Sequence, residues 1–298
     1  MKKLLIIGGS GFVGNSIVDC AINKKLIKHN INEIYIVSRN KNSKKKKYKH
    51  IKINYICKNI VDIKKIPQVD YVIYCIKSRS IKSSNNYFNN FSKLLNNLPK
   101  KPKILFTSSG VVYGKNDTKK KDRENKNINI KSINKLSGYK IDYAKEKLSI
   151  EKKIKELGYE NYKVSIARCY TFIGKNILRY KYAISDLIND ACDKSKITLK
   201  TNLNVYRSYM HSDDLVNWLI VILKKSNNSC PIYNVGSDKS INLNTLSKKI
   251  AKLTKKKLSL KISKNKKFDY YVPSIYKAKK KLNLKISINL NDALNLMF

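Results

Sequence analysis

Residues Leu4-Leu5-Ile6-Ile7-Gly8-Gly9-Ser10-Gly11-Phe12-Val13-Gly14 decide the fold. Four consecutive apolar residues bounded by glycine read as a strand buried on both faces. Glycines at 8, 11 and 14 follow directly and open a helical pattern over about 12–25. In this setting the first glycine permits a tight turn, the second lets backbone approach a pyrophosphate, and the third allows helix and strand to pack closely. The helix start, with Phe12, Val13 and Gly14 in its first turn, offers N–H donors and partial positive charge to an anion. Three glycines in this strand–turn–helix context point to a bound dinucleotide.

Working outward, apolar runs at Leu4–Ile7, Glu33–Val37, Tyr71–Ile76, Ile104–Thr107 and Val164–Ala167 alternate with helical patterns near 82–97 and 139–157. Strand–helix alternation predicts an α/β fold, a Rossmann-type doubly wound parallel sheet with helices on both faces. After about residue 168 the rhythm changes. Helical patterns fall near 180–194, 212–225 and 243–253, short strands near 196–199 and 231–235, and two short helices over Pro273–Phe298. The expected division is a dinucleotide-binding domain over 1–168 and a smaller α/β substrate domain over 169–298, interleaved at the boundary. The polar, Lys- and Asn-rich stretch 115–136 is expected to be a long, partly mobile loop.

The end of the second strand selects the dinucleotide. An acid there would accept from the ribose hydroxyls of NAD. The sequence instead reads Tyr35-Ile36-Val37-Ser38-Arg39. A guanidinium pairs with a 2′-phosphate that a carboxylate would repel. Ser38 and Arg39 therefore predict NADP(H), with NAD(H) as the alternative. Asn59 and Ile60 are expected beside the adenine.

Tyr143 and Lys147 are four residues apart on a predicted helix and share a face. A neighbouring ammonium favours the phenolate of a tyrosine whose ordinary pKa is about 10. Ser109 ends the strand Thr107-Ser108-Ser109 and is placed to hold a substrate oxygen while Tyr143 gives or takes its proton. Hydride transfer at a carbinol carbon would then belong to the nicotinamide.

With these motifs in this order, the chain resembles the extended short-chain dehydrogenase/reductase family, in its nucleotide-sugar epimerase, dehydratase and reductase branch. Gly8, Gly11 and Gly14 match its G-x-x-G-x-x-G; Ser108 through Gly114 match S-S-x-x-V-Y-G; Tyr143 to Lys147 match Y-x-x-S-K, with Lys145-Glu146 departing at the small-residue position. Arg207-Ser208-Tyr209 and Tyr233-Asn234-Val235-Gly236-Ser237 resemble two further signatures. The resemblance implies a catalytic set of Ser109, Tyr143 and Lys147. It also implies substrate contacts from Ser109, Thr171 and Arg207, a nucleoside-diphosphate sugar as substrate, and a homodimer. Gly110-Val111 stand where a 4,6-dehydratase carries Asp-Glu, which disfavours dehydration. Thr171 replaces the usual Asn, and Ile76-Lys77 replace a small pair lining the cofactor; Lys77 reads either as a phosphate contact or as a solvent-exposed cation. The expected function is an NADP-dependent 4-keto reductase of a nucleoside-diphosphate hexose. A 4-epimerase holding NAD is the alternative, and a non-catalytic dinucleotide- or RNA-binding member of the fold is the rival of another class.

Composition fits an ordered enzyme. Of 298 residues 42% are hydrophobic, enough for a core, and no apolar run is long enough to span a bilayer. The net charge is +44, yet only six of 64 basic residues are Arg, and Asn and Ile are also abundant. This reads as Lys spread over a solvated surface. A nucleic-acid partner is the weaker reading, with the Lys runs 44–47 and 119–121 as its footholds. Six scattered Cys and three His give no zinc spacing, so no metal is expected. The compartment expected is the reducing cytoplasm. The run Met1–Ile7 stops at glycine, too short for a signal peptide. Asp213 and Asp214 are expected to cap the following helix, Trp218 to sit in the core, and His211 to pack or hydrogen-bond.

Overall fold

A computed structural model describes residues 1–39, 48–78, 80–179, 182–201, 204–262 and 268–298. The Lys run 44–47 lies outside the described residues.

The five strands predicted in the first half form, with somewhat different ends, and Lys52–Ile56 adds one that no apolar run marked. They are β1 (Lys2–Ile7), β2 (Ile31–Val37), β3 (Lys52–Ile56), β4 (Tyr71–Tyr74), β5 (Lys103–Ser109) and β6 (Val164–Cys169). With Ile232–Val235 they make one seven-stranded sheet. Its order is β3, β2, β1, β4, β5, β6, then Ile232–Val235. The β1–β2, β2–β3, β1–β4 and β4–β5 pairs are all parallel. Strand order reverses between β1 and β4, so a crevice opens at their carboxyl ends, where open α/β sheets bind ligands. The fourth strand is shorter than its apolar run, because the chain leaves the ladder after Tyr74.

Two helices explain how one sheet face is buried. In α2 (Ile81–Asn96) the buried residues include Phe88, Phe91 and Leu95; in the helix Lys140–Tyr159 they include Ile150, Ile154 and Leu157. These are stripes at helical spacing. They join Leu5, Ile7, Val72, Tyr74, Ile104 and Phe106, alternate residues of β1, β4 and β5, in one core. The Tyr74 ring packs against Phe91 at 5.0 Å and Phe88 at 5.6 Å. Leu4 and Ile6, on the other sheet face, are equally buried.

The chain divides into two compact units. One comprises Met1–Val112, Leu136–Arg168 and Val216–Tyr233; the other comprises Tyr113–Lys135, Cys169–Leu215 and Asn234–Phe298. The strand expected near 231–235 among the second-half elements is instead an edge of the main sheet. The second unit has Val205–Arg207 between Ile241–Asn242 and Asp269–Tyr271, and Lys196–Thr201 paired with Lys257–Ile262. Its helix Leu243–Thr254 buries Leu243, Leu246, Ser247, Ile250 and Ala251 along one stripe.

The 115–136 stretch is more structured than its composition suggests. It contains the helix Ile130–Asn134, and Asp122 is 3% exposed. The Asp122 carbonyl accepts from Ser274 N at 2.7 Å and Asn234 Nδ2 at 3.0 Å. Its carboxylate accepts from Tyr170 Oη at 3.2 Å and Lys126 Nζ at 2.7 Å. Long-range partners, invisible in local composition, hold the segment. Asp213 and Asp214 stand inside the first turn of the helix Ser212–Lys224. Rather than capping it, Asp214 accepts from the N–H groups of Ser287 and Ile288, both at 2.9 Å. Trp218 is fully buried, and His211 Nδ1 accepts from Asp213 N at 3.2 Å.

Candidate active site

The glycine turn is wedged at the switch point. Gly8 N and Gly9 N both donate to Val37 O at the end of β2, at 3.1 and 3.0 Å, and Cys75 N donates to Ile7 O at 2.8 Å. Gly8 has φ +97°, and a Cβ there would meet Cys75 C and O at 2.8 Å. A Cβ on Gly14 would meet Gly9 Cα and O at 2.4 Å. Side chains are thus excluded where the turn crosses the sheet end and where α1 (Phe12–Ile22) packs on it. Gly11 is the N-cap of α1; no side chain caps that helix, and its first turn carries no acid. The helix start therefore presents backbone donors and positive dipole without a competing carboxylate, which fits a pyrophosphate. Ser38 follows β2 half-buried, and Arg39 is exposed beside it. Asn59 is the N-cap of the short turn Ile60–Asp62 and lines a groove of about 1020 Å³ with Ser80, Lys82, Asn85 and Asn89. None of Ser109, Tyr143 and Lys147 lines that groove.

The end of β5 separates its two serines. Successive strand residues face opposite ways. Ser108 Oγ donates to Glu151 Oε1 at 2.6 Å, and Arg168 grips the same carboxylate through Nε at 3.0 Å and Nη2 at 2.7 Å. That buried, bidentate set is a structural tie between β5, β6 and the Lys140–Tyr159 helix. Ser109 is 8% exposed, and its Oγ accepts from Val111 N at 3.4 Å.

Tyr143 and Lys147 stand one turn apart in the helix Lys140–Tyr159. Lys147 is 3% exposed; its Nζ donates to Ile76 O at 2.9 Å and lies 5.6 Å from the centre of the Tyr143 ring. Glu146 Oε1 is 4.0 Å from that ammonium and accepts from Ser84 Oγ at 3.0 Å. The buried lysine thus has a carbonyl acceptor and a carboxylate nearby. Cys75 donates its thiol to Ile7 O at 3.2 Å. Burial pushes that thiol up to about 12, against the pull of the Lys147 ammonium, so it stays a neutral packing group.

Lys77 is exposed, one of its two readings from sequence, and it also reaches two aromatic rings. Its Nζ lies 5.2 Å from the Tyr143 ring centre and 5.4 Å from that of Tyr139. Glu146 and Glu151 were also not singled out from sequence; the signal for Glu151 is its place on the buried stripe of the helix, eight residues after Tyr143.

Of the three residues expected to contact substrate, Ser109 belongs to the first unit, while Thr171 and Arg207 belong to the second and have partners within it. Thr171 Oγ1 donates to Ser208 O. Arg207 Nη2 bonds Asp269 Oδ2 at 2.6 Å, and Nη1 donates to Tyr206 O at 2.7 Å. Among the described residues no group of three or more His, Cys, Asp or Glu is arranged to hold a metal ion, and no helix is long and apolar enough to cross a membrane.

Comparison with known proteins bears on the family and the fold. The model of the NAD dependent epimerase/dehydratase family matches residues 4–236. The bifunctional polymyxin resistance protein ArnA of Wigglesworthia glossinidia brevipalpis is 26% identical over 261 residues, 80% of this chain. The aligned part spans about two fifths (39%) of that protein's length. Two solved structures share the fold. UDP-glucose 4-epimerase of Thermotoga maritima, with UDP-glucose, has a TM-score of 0.75 at 18% identity, covering 99% of this chain and 97% of that one. The dTDP-glucose 4,6-dehydratase of Bacillus anthracis, with NAD, has a TM-score of 0.77 at 16% identity, covering 100% and 95%. The chain belongs to the NAD dependent epimerase/dehydratase family.

Proposed function

We propose that the chain is an NADP-dependent reductase acting on the 4-keto group of a nucleoside-diphosphate hexose. The observation that carries this reading is the Tyr143–Lys147 pair, one helical turn apart, with the Lys ammonium held 5.6 Å from the phenol ring and tied to the chain that leaves β4.

The glycine turn and the start of α1 would hold the dinucleotide pyrophosphate, with Ser38 and Arg39 at the ribose phosphate and Asn59 and Ile60 at the adenine. When bound, the dinucleotide supplies the hydride. The remaining steps are the protein's. Ser109 Oγ donates to the substrate carbonyl oxygen and polarises it. Tyr143 gives that oxygen its phenolic proton as the carbon gains hydride, so carbonyl becomes carbinol and the phenol becomes phenolate. Lys147 stabilises the phenolate charge by proximity. Solvent protons restore the phenol. Thr171 and Arg207 are proposed for the substrate's sugar and diphosphate. Gly110-Val111 supply no carboxylate after Ser109, which supports reduction over dehydration.

The test is to incubate the protein with a nucleoside-diphospho-4-keto-hexose and NADPH or NADH. The reading expects one carbinol formed per NADPH consumed, with NADPH bound more tightly than NADH and the preference lost in Arg39→Ala. Interconversion of two nucleoside-diphosphate hexoses without net dinucleotide consumption, by protein that purifies with NAD, would make it an epimerase instead.

A further inference from the structure

We infer that Lys77 is a positioning residue for Tyr143, a second ammonium that flanks the ring and favours the phenolate. The inference rests on the reading of Tyr143 as proton donor and adds a residue to it.

Cys75 is fastened to Ile7 O through both its backbone N–H and its thiol. Ile76 follows, with its N only 2.9 Å from where a Gly8 Cβ would lie. These contacts fix the peptide that carries the Ile76 carbonyl, and that carbonyl accepts from Lys147 Nζ. The next side chain, Lys77, reaches the rings of Tyr143 and Tyr139. One dipeptide therefore serves both members of the pair: its carbonyl anchors the lysine and its side chain covers the tyrosine.

The two ammonium groups differ in how much charge they bring. Lys147 is buried, and Glu146 Oε1 at 4.0 Å offsets part of its field. Lys77 is exposed, and among the described residues it forms no ion pair. Cations within about 6 Å of an aromatic centre are attracted to its face, which orients the ring. The same charge lowers the cost of losing the phenolic proton. Charged and titratable groups near Tyr143 include Lys77 from the segment after β4, Tyr139, Asp142 and Lys147 from its own helix region, and Glu146 beside Lys147.

The experiment titrates Tyr143 directly, without substrate. Protein labelled with carbon-13 at the tyrosine Cζ is followed by NMR from neutral to alkaline pH, and the Tyr143 signal is identified by its loss in Tyr143→Phe. Wild-type Tyr143 is expected to titrate below the ordinary value of about 10. Lys77→Met should raise the midpoint by about half to one pH unit, the size expected for one unit charge at this range in a partly solvated site. Lys77→Arg should restore it, and Lys77→Glu should raise it further. A midpoint unmoved by Lys77→Met, or a wild-type phenol titrating at or above 10, overturns the inference. Failure of the reading beneath it looks different: Tyr143→Phe would then keep full turnover, whatever the titration shows.

Discussion

Tyr143 and Tyr170 are two tyrosines in opposite electrostatic settings. Tyr143, in the first unit, is half-buried between the ammonium groups of Lys77 and Lys147. Tyr170, in the second, is buried and donates to the Asp122 carboxylate. Burial and the carboxylate together hold the Tyr170 phenol well above its ordinary range. Both rings stand beside charged groups, so nearby charge alone does not mark a reactive group. The sign of the nearby charge does. Cations around a phenol make its proton available, whereas a buried acceptor carboxylate keeps it in place. The second arrangement is a fastener. With Asn234, whose amide accepts from Tyr113 Oη at 2.9 Å and whose N donates to Glu124 Oε1 at 2.8 Å, it ties the 113–135 segment to the rest of its unit.

The contrast breaks most clearly at Lys147. Replacing it with Met removes the cation and the bond to Ile76 O. Turnover is expected to fall about 10²–10⁴-fold, the range for a lost proton-transfer device. Steady-state kinetics checks this, with circular dichroism to show that the helix persists. Tyr170→Phe should do the reverse. It removes one hydrogen bond to a charged acceptor that Lys126 still partners, so chemical denaturation should show a loss of about 1–2 kcal/mol. Turnover should stay within about threefold of wild type. The smallest effect concerns a group in neither setting. His29 Nε2 meets Asn217 Oδ1 at 3.2 Å, and burial with the nearby Lys224 and Lys28 lowers its pKa to about 4. The unfolded histidine takes up a proton near pH 6.5, before the folded one does. Stability should therefore decline as pH falls from about 6.5 to about 4, and His29→Gln should flatten that slope in pH-dependent thermal melts.

What could be read in advance follows the same division between local and distant. The sheet was legible because β1, β4 and β5 are runs of apolar residues, and a strand buried on both faces needs little else. Gly8 and Gly14 were legible because only glycine fits where backbones nearly touch. The Tyr143–Lys147 pair shows at a spacing of four. Asp122 was hidden: its partners lie as far away as Asn234 and Ser274, and a Lys- and Asn-rich neighbourhood resembles a free loop. Asp214 was misplaced for the same reason. Its partners, Ser287 and Ile288, lie some seventy residues on, so a local capping rule had nothing to weigh against it. Lys77 was ambiguous because its contacts depend on where the chain turns after β4, and the rings it meets, Tyr139 and Tyr143, lie at the start of a helix from a distant stretch of sequence.

The central claim is that the phenol of Tyr143 moves the proton while other groups bind. The most direct measurement is the Tyr143→Phe variant, with turnover and dinucleotide affinity determined on the same preparation. The account predicts turnover reduced by at least about 10²-fold with affinity changed less than about twofold. Turnover near wild type at unchanged affinity would contradict it.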